Sequence, residues 1–396
     1  MSSRVRRLAA AAGLLAAATA GASSGRLGGG SDSGTITRPA AGFILLDRHL
    51  EKNAGSTFRE LLLSNERKGN CVYWGYQQRS PVWSDFVALM RNLSAADVPP
   101  RICIEAHTHI DYGTPWLQRL AQLEEMRADL RQRALDVRVL LVVRLREPLS
   151  HYISYYLWTV AERQLRNPAK YGRDFESWVR SVPNLQSELL LSSKAAFTAS
   201  YAGLAHQEVE EWGRRWARPG LAAERRAAVL RAVASFDILG TNDRFDETAL
   251  LIARAVGWRA ADAAQGLASV PPSEMCNGLP PRTALAAAAR QKGQMWFCRD
   301  SSKPYKEERA RVQAHVCPNR SACEALVRAV APLDHELYAR ANARLDAAVA
   351  SGGAELAEQL RELLKAKRKS RGGGRLSART VTNVFHGCVG ATTPGS

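Results

Sequence analysis

The sequence is short of acid: over 396 residues, 38 Asp and Glu stand against 55 Lys and Arg, a formal charge of +17. Such a balance favours anionic partners, whether phosphate cofactors, acidic glycans, anionic lipid or nucleic acid, and charge alone does not choose among them. There is no Cys-x-x-Cys pair, and the seven cysteines are scattered at 71, 103, 276, 298, 317, 323 and 388, which argues against zinc-ribbon chemistry. There is no G-x-x-x-x-G-K-[ST] loop, so an ordinary ATPase phosphate site is disfavoured. No internal repeat occurs, which sets solenoids aside. A full bilayer span needs roughly 20 predominantly apolar residues. The one candidate, from Leu8 to about Ala22, is short and mostly alanine.

What is present is a chain that is 46% hydrophobic, enough for one large α/β core or two modest domains. Arginines, an Ala/Leu run and then small residues fit a secretory signal; a short signal-anchor and an organellar transit peptide are the alternatives. We therefore expect a targeting segment and Gly/Ser linker over 1–40, a folded domain over 41–350, and a basic, disordered tail over 351–396. Cys317 with Cys323 would close a short loop and Cys276 with Cys298 a longer one. Both pairs suit an oxidising lumen, as do the sequons at Asn92 and Asn319.

Four apolar runs have strand length, at 42–46, 101–106, 137–143 and 236–240, and their near-continuous apolarity is that of strands buried on both faces. Between and after them, helical spacing covers 58–63, 117–135, 151–165, 175–182 and 207–234, the last interrupted by Pro219-Gly220. A further helix is capped by Asn242 or Asp243 and stopped by Gly257, and a long helical stretch runs over 321–363. The alternation predicts an α/β layered fold with a central parallel sheet.

Two strand exits carry the chemistry. The first, "DRHLEKNAGSTFRE" at 47–60, puts Lys52, Asn53, Ala54, Gly55, Ser56 and Thr57 between a strand and a helix beginning near Phe58. A short loop with a glycine ahead of a helix N-terminus offers backbone N–H groups to a phosphate, and Lys52 adds a mobile positive charge. The plain alternative is a capped helix with a surface lysine. The second, "VVRLREPLSHYISYYLW", leaves the third strand with Arg144 and Arg146 and enters a helix bearing Ser154. Arg146 can grip a phosphate bidentately and Ser154 can add a hydroxyl. Ligands of open α/β sheets bind at these carboxyl ends of strands, and two anion sites there suit a doubly phosphorylated nucleotide.

These stretches resemble the sulfotransferases that use 3′-phosphoadenosine 5′-phosphosulfate, especially the Golgi carbohydrate group with its uronosyl 2-O-sulfotransferases. "KNAGSTF" is similar to their 5′-phosphosulfate loop, and "REPLSHYISYY" to their 3′-phosphate segment, with His151 where an arginine is usual. "NLQSELLL", "FDILGTNDRFDETALLIARAVGW" and "LDHELYARANARL" resemble later segments in the same order, so the likeness covers about 42–346. The resemblance implies a P-loop-like three-layer fold, a luminal Golgi enzyme anchored as a type II membrane protein or secreted, and no metal. It implies sulfuryl transfer to a glycan hydroxyl, with the nucleotide held by Lys52 through Phe58, Arg146 and Ser154.

"EAHTHIDYG" follows the second strand and contains His107 and His109. In the resembling enzymes the second histidine of such a pair is the base, so His109 is expected to be catalytic beside Lys52, with His107 positioning the acceptor. An unperturbed imidazole suits that role near neutrality. The competing readings are a metal site completed by Asp111, a satisfied buried histidine, and Glu51 or Glu60 as the base. Tyr112 and Trp116 are the candidate platforms for a sugar ring. The expected acceptor is an acidic polysaccharide, with no nucleic acid involved. An inactive glycan- or nucleic-acid-binding protein of the same fold is the alternative, and a P-loop kinase a weaker one.

Overall fold

The computed structural model describes residues 41–75, 83–95, 97–107, 116–156, 174–191, 216–265 and 316–372. Over these, the strands are β1 (Gly42–His49), β2 (Val72–Trp74), β3 (Arg101–His107), β4 (Val137–Leu145) and β5 (Ile238–Thr241). The helices are α1 (Gly55–Arg67), α2 (Trp83–Asn92), α3 (Trp116–Gln132), α4 (Pro148–Tyr155), α5 (Phe175–Ser181), α6 (Leu185–Leu191), α7 (Pro219–Ala234), α8 (Phe245–Val256), α9 (Ala260–Gln265), α10 (Arg320–Val330) and α11 (Pro332–Gly372).

The strands form one sheet in the order β2-β3-β1-β4-β5, every pair parallel. All eight residues of β1 are buried, because helices cover both faces of the sheet. Ile44 and Leu46 point to a core shared with Leu120 and Leu123 of α3, Tyr152 of α4 and Val229 of α7. Phe43 and Leu45 point the other way, to Leu61 and Leu62 of α1, Leu250 and Ile252 of α8, and Leu356 and Leu363 of α11. The expected α/β fold with a central parallel sheet is present.

Several local expectations are corrected. The stretch 72–74 lies outside the four runs of strand length, yet it is edge strand β2, with Tyr73 0% and Trp74 3% exposed. A three-residue strand is too short for alternation to reveal it. The helical stretch is interrupted beside Pro219, as expected: residues 216 and 217 are helical, 218 is not, and Pro219 sits in the first turn of the new helix α7, where a missing N–H is tolerated. Helix α8 starts at Phe245 with Arg244 at its N-cap rather than Asn242 or Asp243, and Gly257 ends it in the left-handed conformation, φ 73°. The stretch 321–363 is broken at Ala331, between α10 and α11, and again inside α11 at Gly353, whose φ of 58° is non-helical; helical structure resumes beyond it and continues through Gly372, past residue 350.

Cys317 and Cys323 form a disulfide, as their spacing suggests; Cys71 and Cys103 form a second, which joins the start of β2 to the middle of β3. Cys276 and Cys298 lie outside the described residues, as does the N-terminal Ala/Leu run. Among the described residues no helix is long and apolar enough to cross a membrane.

Candidate functional site

The carboxyl ends of β1, β3 and β4 gather an unusual amount of buried charge. Asp47, Arg48, His49, Glu51, Asn53, Arg59, Glu105 and Arg144 are all at most 6% exposed. Buried charge survives only where it is paired and hydrogen-bonded, so each of these groups has to be traced to a partner.

The chain leaves β1 through residues 50–54. Lys52 and Ala54 take left-handed backbone conformations, φ 66° and 55°, at roughly 1 kcal/mol each for residues that carry a Cβ. Gly55 does not supply the left-handed turn; it is the first residue of α1. It is small for another reason. A Cβ there would lie 1.6 Å from Nε2 of His49, whose ring occupies that space. Ala54, at the N-cap of α1, makes no side-chain cap, and the first turn carries no acidic residue. That leaves the positive end of the helix open to an anion. Phe58 is less apt: its N–H donates to the Ala54 carbonyl at 3.1 Å and its ring is buried beneath the Arg144 guanidinium, 4.0 Å away. The Asn53 amide donates to the Arg144 carbonyl at 2.8 Å and to Oε1 of Gln186 at 2.7 Å, so Asn53 is a strut.

The exit of β4 lies directly alongside. Arg144 is turned into the core, where Nη2 donates to both carboxylate oxygens of Asp47 at 2.9 and 2.7 Å, and Nη1 reaches the Ala54 carbonyl at 3.2 Å. Arg146 remains partly exposed, and its Nη1 donates to the Lys52 carbonyl at 3.0 Å. The two loops singled out in the sequence are therefore fastened together. Glu147 caps α4, accepting from the N–H groups of Leu149 and Ser150 at 3.0 and 2.7 Å. His151, fully buried on α4, bonds through Nε2 to the Glu51 carbonyl at 3.1 Å. Burial pulls its pKa to about 3 against the effect of that bond, with the charges of Arg146 and Lys52 acting in the same sense as burial. His151 is thus a neutral tie between α4 and the β1 loop. Ser154 sits half-buried on α4.

At the exit of β3, His107 pairs in register with His49. His109, Tyr112 and Asp111 lie outside the described residues. Trp116 opens α3 with little surface to offer a sugar: it is 3% exposed, stacked on Phe236 at 6.1 Å, with the Arg48 guanidinium 4.8 Å from its centroid. It is a core residue. Arg48 donates to the carbonyls of Leu189 and Ala106 at 2.9 and 3.3 Å. Burial lowers its pKa to about 10, opposed by Glu51 and Asp47. Burial raises the Glu51 carboxyl to about 7, with its own backbone N–H and Arg48 opposing. Glu60 is a half-buried residue of α1.

Sequence reasoning missed His49 and Glu105. Nδ1 of His49 lies 2.5 Å from Oε1 of Glu105, and Glu105 also accepts from Arg59, at 2.8 and 2.5 Å, and from the Tyr73 hydroxyl. Burial pushes the Glu105 carboxyl up, but the hydrogen bonds and charges of His49 and Arg59 prevail and hold it at about 2. A carboxylate fixed on Nδ1 orients the imidazole with Nε2 against the first residue of α1. The only sequence signal was the histidine three positions before Lys52. Among the described residues no three His, Cys, Asp or Glu form a metal-binding group.

Protein-family models and curated proteins both give no match to this chain. The geometry has to carry the reading alone.

Proposed function

We propose that this chain is a sulfotransferase of P-loop-like fold that moves the sulfuryl group of 3′-phosphoadenosine 5′-phosphosulfate to a hydroxyl of a glycan, an acidic polysaccharide, in the Golgi lumen. One observation carries the reading: the β1 and β4 exits meet at the 3.0 Å bond from Arg146 to the Lys52 carbonyl, beside the uncapped start of α1. The donor set fits a nucleotide with two separated anionic groups. Lys52 and the N–H groups of Gly55, Ser56 and Thr57 would hold one, and Arg146 and Ser154 the other.

When bound, the nucleotide supplies the activated sulfuryl group. An acceptor oxygen forms its bond to sulfur as the bond from sulfur to the 5′-phosphate oxygen breaks, and the hydroxyl proton passes to a base. Lys52 and the amides of α1 offset the charge left on the phosphate; loss of such a contact typically lowers the rate ~10²–10³-fold. His109 is the proposed base, with His107 and Tyr112 positioning the acceptor. The His49–Glu105 pair favours a second assignment of the base, since an imidazole held by a carboxylate is oriented for proton exchange.

The test is incubation of the full chain with isotopically labelled donor and a panel of desulfated polysaccharides, alongside titration calorimetry with adenosine 3′,5′-bisphosphate. Labelled product and nucleotide binding that falls sharply in Arg146→Ala are expected. Binding without labelled product means the inactive alternative, a glycan- or nucleic-acid-binding protein. Turnover lost in His109→Ala but kept in His49→Ala decides the base, and the reverse outcome transfers the role to His49.

A further inference from the structure

Gln186 has no counterpart in the reading above. It is 0% exposed on α6 and lies 133 residues from Asn53, yet its carboxamide engages both strand exits. Its Oε1 accepts from the Arg146 N–H at 2.8 Å and its Nε2 donates to the Arg146 carbonyl at 3.1 Å, so one side chain satisfies both backbone groups of a single residue. The same Oε1 accepts from Asn53 of the β1 loop at 2.7 Å, while Asn53 also donates to the Arg144 carbonyl at 2.8 Å. Holding both the N–H and the C=O of Arg146 restricts its φ and ψ and hence the direction in which its side chain leaves β4.

Gln186 is itself held from a distance. The Asp334 carboxylate of α11 accepts from the N–H groups of Gln186 and Ser187 at 3.0 and 2.8 Å and from the Ser187 hydroxyl at 2.5 Å. It caps α6 from outside the chain segment. Asn184, left-handed at φ 53°, accepts from the Leu333 N–H at 2.9 Å, and the Tyr152 hydroxyl of α4 bridges the Val182 carbonyl and the Leu185 N–H at 2.7 and 3.1 Å. The turn before Gln186 is therefore fixed by α4 and α11 together. A buried polar network of this kind favours one arrangement of the parts it joins.

We propose that Gln186 is a positioning residue that sets the spacing between the β1 and β4 anion sites, and so makes the protein selective for a nucleotide carrying two phosphate groups over one carrying a single 5′-phosphate. The inference rests on the sulfotransferase reading, since it presupposes a nucleotide in that place. A single 5′-phosphate needs only Lys52 and the start of α1, which Gln186 reaches solely through the bond from Asn53, and Gln186→Glu keeps the oxygen that accepts it. The second phosphate needs Arg146 aimed correctly with respect to them.

The experiment is calorimetric titration of the full chain with adenosine 3′,5′-bisphosphate and, separately, adenosine 5′-monophosphate. Wild type is compared with Gln186→Glu, which loses the donor to the Arg146 carbonyl, and Gln186→Met, which loses all three bonds. Circular dichroism melts establish that each variant is folded. Gln186→Glu is expected to weaken the bisphosphate about tenfold or more while the monophosphate changes by less than about twofold, and Gln186→Met to weaken the bisphosphate at least as much. A purely structural role would lower both affinities in proportion, and an unchanged preference in folded variants overturns the inference while leaving the nucleotide reading intact. Wild type that binds neither nucleotide overturns that reading and the inference with it. If the Gln186 variants do not fold, Ser187→Ala removes the hydroxyl bond to Asp334 that helps to hold Gln186 in place, and is read in the same way.

Discussion

The exits of β1 and β4 have the same plan, strand, loop and helix, and opposite chemistry. Helix α4 is closed: Glu147 accepts from two of its first N–H groups and Pro148 occupies its first turn. Helix α1 is open: its cap is Ala54, without a bonding side chain, and two non-glycine residues take left-handed conformations to reach it. Strain kept at an uncapped helix end, next to a sealed one, marks where the backbone rather than side chains would meet an anion. At β4 the anion-binding capacity is left to the guanidinium of Arg146 and the hydroxyl of Ser154.

The comparison can be broken most severely at Gly55. In Gly55→Ala the new Cβ meets the His49 ring, which must leave Glu105 or move α1; a loss of about 1–3 kcal/mol in a denaturant titration is expected, with nucleotide binding lost too. Stability within 0.5 kcal/mol of wild type would mean that the ring and the helix start are not packed together.

Next is pH. Glu51 is raised by burial from 4.5 to about 7, so it binds a proton more tightly folded than unfolded, and its contribution is fully present below pH 4.5 and lost as pH rises through about 7. His151, depressed from 6.5 to about 3, acts in the opposite sense over an overlapping range, so wild type alone hides both. The stability of Glu51→Gln relative to wild type should therefore move in favour of the variant between pH 4.5 and pH 8, measured by urea unfolding at each pH. A constant difference would place the carboxyl in water.

Glu147→Ala unseals α4 and should lower stability by about 1 kcal/mol without weakening nucleotide binding, since the cap is not an anion ligand. A parallel loss of affinity would mean that the two helix starts do not differ in function. The smallest effect is expected from Ala54→Gly, which relieves a left-handed conformation and should raise stability by about 0.5 kcal/mol. A decrease would indicate that Ala54 is unstrained.

Much of this was legible in the sequence wherever the cause is local. The runs at 42–46, 101–106, 137–143 and 236–240 fall on β1, β3, β4 and β5 because continuous apolarity over that length fits few structures other than a strand covered on both faces. Gly257 reads as a helix stop because one residue's freedom of φ decides it. Lys52 and Arg146 were visible as cations leaving strands. Invisible were β2, too short for any period, and the Cys71–Cys103 disulfide, whose two ends meet only once β2 lies beside β3.

By itself, then, the sequence determined a parallel α/β sheet and two cationic loops at strand ends, since side-chain period and turn chemistry act over a few residues. Only the tertiary structure decided that Arg144 serves the core and Arg146 the mouth, that Trp116 is buried, that Gly55 makes room for His49, and that Gln186 and Asp334 hold the loops in register. Most of those outcomes depend on groups far apart in the chain, 90 residues for Arg144 and Ala54 and 148 for Gln186 and Asp334, where packing and the need to pair buried charge, rather than local propensity, choose the neighbour.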